Sequence, residues 1–149
     1  MNYLENEYDI IVVGAGHAGC EAAISCARLG AKVLFATLNI DNIALMPCNP
    51  AVGGPAKSTL VREIDALGGV MGEVTDATYV QMKVLNSSKG PAVRALRAQS
   101  DKKEYMHFMR NILESNDNIK LRQACITDII VENGRITGAI DEFGIEYKC

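Results

Sequence analysis

Tyr8-Asp9-Ile10-Ile11-Val12-Val13-Gly14-Ala15-Gly16-His17-Ala18-Gly19 is the stretch that decides the fold of this 149-residue chain. Its first half is an apolar, β-branched run, which is typical of a parallel strand buried on both faces. The glycine-rich half begins a helix predicted over residues 17–29, and a second strand follows over residues 31–37. Strand, helix and strand in this order form a βαβ unit. We therefore predict an α/β fold with a Rossmann-like parallel sheet.

The glycines of this stretch have the spacing Gly-x-Gly-x-x-Gly, which predicts a dinucleotide site. Gly14 permits the tight turn after the strand, Gly16 lets backbone approach a pyrophosphate, and Gly19 lets helix and strand pack closely. The helix N-terminus adds N–H groups and partial positive charge. The alternative is a merely structural turn. The candidate cofactor-binding residues here are Gly14, Ala15, Gly16, His17, Ala18 and Gly19.

The end of the second predicted strand lacks the carboxylate that commonly binds a ribose hydroxyl. The sequence there is Thr37-Leu38-Asn39, and the first acidic residue is Asp41. Asn39 or Thr37 could supply a neutral hydrogen bond instead, or these residues simply begin a loop. The region also lacks an arginine that would suggest NADP as the ligand.

Composition narrows the class of protein. The chain is 48% hydrophobic and 22% charged, with a net charge of −3 and five irregularly spaced cysteines. This balance is typical of a globular chain and gives no overall basic field for nucleic acid. No apolar run reaches the length of a membrane span, and the acidic N-terminus does not resemble a signal peptide. The cysteine spacing indicates reduced thiols and neither a disulfide framework nor a metal site.

The rest of the chain alternates loops with regular elements. A Gly/Pro-rich loop over residues 46–55 precedes a helix predicted over 58–67, and a strand is predicted over 79–85. After a second loop a long helical stretch is expected, with one apolar face formed by Tyr105, Phe108, Met109, Ile112 and Leu113. The last part is β-rich, and Asn133-Gly134 is a hairpin signal. We therefore predict an antiparallel β-meander over residues 118–149.

Cys48 lies in the first of these loops, Pro47-Cys48-Asn49-Pro50-Ala51-Val52-Gly53-Gly54. A cysteine beside a helix N-terminus can have a lowered pKa and act as a nucleophile. The alternative is a packed small hydrophobic residue. A Walker-type phosphate loop is excluded, because Ala51 and Ala56 occupy both required glycine positions.

A third group of candidates combines Lys89 with Arg94 and Arg97. If Pro91 starts a helix, the two arginines share one of its faces. Such a cluster could hold a phosphate or carboxylate group, and the alternative is a solvated helix face. His107 is expected at the surface of the following helix.

Three strings of this sequence resemble one family closely. They are residues 14–23 (GAGHAGCEAA), 48–54 (CNPAVGG) and 85–94 (LNSSKGPAVR), followed by Arg97-Ala98-Gln99 and Asp101. On these motifs the chain resembles the N-terminal part of the glucose-inhibited division protein A (GidA) family, tRNA uridine 5-carboxymethylaminomethyl modification enzymes. The resemblance extends over nearly the whole chain, and the second and third strings are far more specific than the glycine loop.

The resemblance implies an FAD-binding domain of the glutathione-reductase type in a cytoplasmic homodimer. With NADH, a methylene-tetrahydrofolate donor and a partner GTPase, the family modifies the wobble uridine of tRNA. Gly14–Gly19 match the pyrophosphate loop of the family. Ile126 matches a position whose backbone reaches the adenine. Cys48 matches a cysteine that is discussed as a catalytic thiol. The missing ribose carboxylate is shared with the family.

Family members are much longer than this chain. The resemblance therefore implies a truncated FAD domain that lacks its remaining strand, the NADH-binding insertion and the helical C-terminal region. That C-terminal region recruits tRNA and the partner GTPase, so both are expected to bind mostly outside this chain. Two hypotheses follow: part of an FAD-dependent tRNA-modifying enzyme, or an isolated nucleotide-binding module without its own activity. A flavin disulfide oxidoreductase is disfavoured, because no second cysteine lies within twenty residues after Cys48.

Overall fold

A computed structural model describes residues 7–47 and 49–149. The chain divides into two compact units. The first contains Met1–Ile43 and Asn111–Cys149, and the second contains Ala44–Arg110.

The first unit contains the predicted βαβ motif. Strand β1 (Ile10–Val13) leads into helix α1 (His17–Arg28), and strand β2 (Val33–Thr37) follows. The strands are parallel, with Ile10 opposite Val33. All five residues of β2 are buried, because this strand lies in the middle of the sheet. The predicted α/β fold with a parallel sheet is confirmed.

The third strand of this sheet comes from the far end of the sequence. It is Ile119–Gln123, which pairs in parallel with β2. Numbered in chain order it is β6, and the strand order is β1-β2-β6. The predicted meander over 118–149 is therefore wrong at its start. A β-rich run does not reveal which sheet it joins, because that choice depends on a distant partner strand.

The predicted antiparallel meander is present over a shorter range. Its strands, in the order β7-β8-β9, are β7 (Ile126–Glu132), β8 (Arg135–Asp141) and β9 (Glu146–Lys148). Asn133 and Gly134 join the first two with φ angles of 51° and 77°. Both values lie in the left-handed region that the Asn-Gly turn signal predicts.

The meander packs against the parallel sheet through an aromatic and aliphatic cluster. Tyr8, Leu34 and Tyr147 form its buried centre, and Ile11, Ile126 and Ile145 are partly buried against it. Burying such side chains supplies most of the free energy that holds layers together.

A buried carboxylate closes the turn between β8 and β9. Asp141 is 3% exposed. Its Oδ1 accepts hydrogen bonds from the backbone N–H groups of Phe143 and Ile145, each at 2.9 Å, and its Oδ2 accepts one from the Tyr147 hydroxyl at 2.9 Å. The Arg122 Nε donates to the Tyr147 hydroxyl at 3.3 Å. Burial alone would raise the pKa of Asp141, but these hydrogen bonds and the charge of Arg122 hold that pKa below its ordinary value.

The second unit is built on an antiparallel sheet. Its strand order is β3-β5-β4, so β5 lies in the centre. The strands are β3 (Ala51–Gly53), β4 (Tyr79–Leu85) and β5 (Ala95–Ser100), and the helices are α2 (Lys57–Ala66) and α3 (Met71–Thr78). The predicted helix over 58–67 and strand over 79–85 are confirmed. Helix α3 was not predicted.

The long helical stretch expected after Pro91 is wrong over its first part. Pro91–Val93 form only a short 3₁₀ turn, and residues 95–100 form strand β5. Helix α4 (Lys102–Glu114) begins later. The Asp101 carboxylate accepts hydrogen bonds from the backbone N–H groups of Lys103 and Glu104 at 2.9 and 3.1 Å. This capping interaction fixes the helix start, because it satisfies two N–H groups of the first turn.

Candidate functional site

The glycine loop leaves the parallel sheet at the carboxyl end of β1. The Gly14 N–H donates to the Ala36 carbonyl of β2 at 2.8 Å. The φ angle of Gly14 is +100°, where a residue with a side chain is strained. The chain then turns into α1 at His17. The predicted position of the loop between strand and helix is confirmed.

Gly19 stands where helix and strand are in closest approach. A Cβ atom built on Gly19 would lie 1.9 Å from the Gly14 carbonyl oxygen and 3.4 Å from the Phe35 ring. The first distance is far below any tolerable contact, and the obstacle is backbone. The contact explains why a glycine stands at the third position of the motif.

Gly16 has the opposite surroundings. A Cβ atom built on Gly16 would meet nothing within 4 Å, and the Gly16 φ of −72° is one that any residue can adopt. Neither space within the protein nor backbone geometry therefore requires a glycine here. Gly16 is the N-cap of α1, no side chain caps this helix end, and its first turn contains no acidic residue. Open space beside uncapped N–H groups at a positive helix end is suited to an anion such as a pyrophosphate.

Two side chains of α1 support the loop from within. The Cys20 thiol is fully buried and donates to the Ala15 carbonyl oxygen at 3.7 Å. His17 is half-buried, and burial lowers its pKa below the ordinary value, although the nearby Glu21 carboxylate partly opposes this. The imidazole therefore favours its neutral form, and the positive character of this helix end comes from backbone dipoles.

The carboxyl end of β2 carries the candidate ribose-binding residues. The Asn39 side-chain oxygen accepts a hydrogen bond from the Asp41 N–H at 2.8 Å and caps a short 3₁₀ helix, Ile40–Asn42. Thr37 is buried, and its hydroxyl points to the Asn39 carbonyl at 3.4 Å. Asn39 is exposed at this sheet edge and has a local structural role there.

Gln123 is a residue of this edge that sequence reasoning missed. It ends β6, and its side-chain oxygen accepts a hydrogen bond from the Ile40 N–H at 3.4 Å. The next residue, Ala124, donates its N–H to the Thr37 carbonyl at 2.9 Å. These contacts join the ends of β2 and β6, and Ile126 follows as the first residue of β7. The sequence signal that could have identified Gln123 is a polar residue at the end of a parallel strand.

The candidates Lys89, Arg94 and Arg97 lie in the second unit. Pro91 starts only a short 3₁₀ turn and strand β5 follows, so Arg94 and Arg97 do not share a helix face. Lys89 and Arg94 stand in the loop between β4 and β5, where the Arg94 Nε donates to the Lys89 carbonyl at 3.3 Å. Arg97 is on strand β5, opposite Lys83 of β4.

The remaining candidate, Cys48, lies outside the described residues. Within residues 7–47 and 49–149, no group of three or more His, Cys, Asp or Glu side chains could hold a metal ion. In the same part of the chain, no helix is long and apolar enough to cross a membrane.

Comparison with known proteins gives consistent matches along the chain. The family model "Glucose inhibited division protein A" matches residues 9–149. A tRNA uridine 5-carboxymethylaminomethyl modification enzyme, MnmG, of Lactobacillus delbrueckii subsp. bulgaricus is 58% identical over 147 residues, which are 99% of this chain and 23% of that protein. The chain thus spans about a quarter of the length of such relatives.

Solved structures show the same relationship. GidA of Aquifex aeolicus superposes with a TM-score of 0.93 and 48% identity, over 97% of this chain and 24% of that chain. PqsL of Pseudomonas aeruginosa, a probable FAD-dependent monooxygenase, superposes with a TM-score of 0.65 and 14% identity, over 96% of this chain and 40% of that one. This second likeness concerns the fold alone.

Proposed function

This chain belongs to the glucose inhibited division protein A family, and we propose that it is the N-terminal part of an FAD-dependent enzyme that modifies tRNA. In this proposal the complete enzyme installs a carboxymethylaminomethyl group on the wobble uridine. The single observation that carries it is 58% identity to a named enzyme of that reaction over 99% of the chain. The geometry of the glycine loop supports the cofactor part.

The first unit would hold the FAD. Gly14–Gly19 offer a glycine-lined turn, open space at Gly16 and the uncapped end of a 12-residue helix, which together fit a pyrophosphate group. Asn39 would serve the ribose as a neutral partner, and the Ile126 backbone would reach the adenine. The flavin supplies the capacity to accept and donate electrons.

The rest of the FAD domain would lie outside this chain. Among the described residues, β1 pairs only with β2 and its other edge has no partner strand. A parallel sheet of this kind normally extends on both sides of its first strand. We propose that a later strand of the longer protein completes the sheet there.

Other components of the proposal concern the complete protein. NADH would reduce the flavin, methylene-tetrahydrofolate would supply the carbon, and a partner GTPase would act with the enzyme. The protein would be a cytoplasmic homodimer, and Cys48 would be a catalytic thiol. In the form of residues 1–149 alone, the chain would be a nucleotide-binding module without activity.

The cofactor part is tested on the complete protein purified from cells. We expect a yellow protein that releases FAD on denaturation, identified by its absorbance and mass. Gly16→Ala should fold but carry little FAD when it is purified, because the added methyl group occupies the space proposed for phosphate. A protein that carries only NADP would contradict the proposal.

The role of Cys48 is tested separately. We expect Cys48→Ala to abolish wobble-uridine modification, measured by nucleoside mass spectrometry, while FAD stays bound. Cys149→Ala is the matched control, since Cys149 is an exposed thiol in the meander unit. Near-normal modification by Cys48→Ala would assign Cys48 to packing.

A further inference from the structure

The charges of this acidic chain are distributed unevenly. Residues 79–100, which we call the cationic hairpin, comprise β4, its connecting loop and β5. They contain the four cationic residues Lys83, Lys89, Arg94 and Arg97 and no aspartate or glutamate. The hairpin therefore carries +4 in a chain of net charge −3, and the other residues together carry −7.

The strand register concentrates part of this charge on one face of the sheet. Lys83 lies directly opposite Arg97, and Gln81 lies opposite Gln99. Alternate residues of a strand point to the same face, so these four side chains share it. All four are exposed.

Helices α2 and α3 lie against the other face of the sheet at β3 and β5, whereas Met82 and Val84 of β4 are exposed on that face. Met82 and Ala98 alternate with the polar set, and with Val52 they line an open cleft beside α2 and α3. These two helices contain the acidic residues Glu63, Asp65, Glu73 and Asp76. With Lys57 and Arg62 of α2 the two helices carry a net charge of −2, and the sheet separates them from a face of cations and amides.

Two cations directly opposite each other on a sheet repel one another. Neither β3, β4 nor β5 contains an acidic residue that could compensate for Lys83 and Arg97. A bound anion would remove this repulsion. Arginine can bind a phosphate through two parallel hydrogen bonds, and glutamine can donate to and accept from a ribose hydroxyl.

We propose that the cationic hairpin binds the sugar-phosphate backbone of tRNA. The inference rests on the proposed function, which supplies tRNA as the substrate. An extended polyanion fits better than a small ligand, because the four side chains lie exposed on a sheet face, whereas small-ligand sites are concave and mostly apolar. Lys89 and Arg94 extend the positive charge beyond the strands at the end of the same hairpin.

The test uses the complete, FAD-loaded protein and an unmodified tRNA transcript. Affinity is measured by fluorescence anisotropy between 50 and 200 mM KCl for the wild type and for Lys83→Gln/Arg97→Gln. We expect the double variant to bind about tenfold more weakly. Its slope of log affinity against log salt should be smaller by about 1.4 to 1.8, since each lost phosphate contact contributes about 0.7 to 0.9.

A matched variant removes the same charge from the opposite side of the sheet. Lys57→Gln/Arg62→Gln changes two exposed cations of α2, and we expect wild-type affinity and slope. Arg97→Lys keeps the charge but loses two-point phosphate binding, so its slope should be retained while its affinity falls. Bound flavin and melting temperature should be the same in all variants.

The outcomes separate the two proposals. If the wild type binds tRNA and Lys83→Gln/Arg97→Gln has an unchanged slope, the hairpin proposal is overturned and the proposed function stands. The same holds if that variant alters only the oligomeric state, which would make the face a protein interface. If the FAD-loaded wild type binds no tRNA, the proposed function itself is contradicted.

Discussion

The glycine loop and the cationic hairpin are both suited to phosphate, but they attract it by different physical means. The loop offers backbone N–H groups, open space at Gly16 and a helix end beside the His17 imidazole, whose pKa is lowered by burial. The hairpin offers four charges on exposed side chains and no acidic residue. A preorganised backbone site selects a ligand by shape, whereas a charged surface attracts any polyanion and weakens with salt.

At the turn after β8, backbone N–H groups bind an anion that the chain itself supplies, the carboxylate of Asp141. There a carboxylate of the chain itself accepts two backbone N–H groups at 2.9 Å. The loop at Gly16 also presents backbone N–H groups, at the N-terminus of α1, but no side chain caps them. The comparison shows one set of backbone N–H groups that the chain satisfies with its own carboxylate and one helix end that no side chain caps.

The largest expected effect is that of Gly19→Ala. Alanine would favour the helix by about 1 kcal/mol, but its methyl group would lie 1.9 Å from the Gly14 carbonyl oxygen. We expect the clash to dominate and to destabilise the fold by more than about 3 kcal/mol. Urea unfolding measures the loss of stability, and flavin absorbance measures the loss of bound FAD that accompanies it.

Gly16→Ala is the control that separates fold from ligand. Its methyl group meets nothing within 4 Å, so unfolding should change by about 1 kcal/mol or less while flavin is lost. Equal stability losses at Gly16 and Gly19 would show that the loop is only a structural turn.

Asp141→Ala comes next in size. It leaves two backbone N–H groups and the Tyr147 hydroxyl without their acceptor in a buried turn, so we expect a loss of about 3 kcal/mol. Because the folded pKa of Asp141 lies below the ordinary 3.8, the wild type should keep this stabilisation above about pH 4 and lose it as the pH falls through the folded pKa.

Asp128→Ala provides the comparison for that variant. Asp128 is exposed, and its carboxylate accepts only the adjacent Ile129 N–H in the described contacts. We expect a change within about 0.5 kcal/mol in urea unfolding. A loss at Asp141 no larger than that would contradict the view that its carboxylate occupies a backbone anion site.

Salt distinguishes the two phosphate regions directly. If all four hairpin cations contact phosphate, raising KCl from 50 to 200 mM should weaken tRNA binding by about a hundredfold. Flavin retention at the glycine loop should change by less than about threefold, because residues 14–19 contain no lysine or arginine. Equilibrium dialysis for FAD and anisotropy for tRNA give both values on one preparation, and parallel salt dependence would remove the distinction.

The glycine loop was predictable from sequence, whereas only the first strand of the cationic hairpin was. Residues 8–37 form a motif whose turn, helix and strands depend on neighbours in the sequence. Residues 95–100, Ala-Leu-Arg-Ala-Gln-Ser, fit a helix equally well by composition, and only β3 and β4 on either side make them a strand. Intrinsic propensity is commonly overridden by such tertiary pairing.

Two further features show the same limit. Ile119–Gln123 joins the parallel sheet because β2 is its partner across more than eighty residues of sequence. Asp101, by contrast, was a local signal: an aspartate before a helix is a common N-cap, and it would have placed the start of α4 correctly. Among the candidate site residues, those that the sequence placed correctly lie in local motifs.

The smallest expected effect tests the neutral imidazole of the loop. Burial lowers the pKa of His17 below the ordinary 6.5, so the unfolded chain binds a proton more readily than the folded one. The resulting stability is complete above about pH 6.5 and is lost as the pH falls through the folded pKa. We expect His17→Gln to reduce this acid-dependent loss, measured as the urea midpoint between pH 7.5 and 5. His107→Gln should leave it unchanged, since His107 is exposed on α4. Identical pH profiles for the wild type and His17→Gln would mean that folding does not shift the pKa of His17, and would contradict its burial in the neutral form.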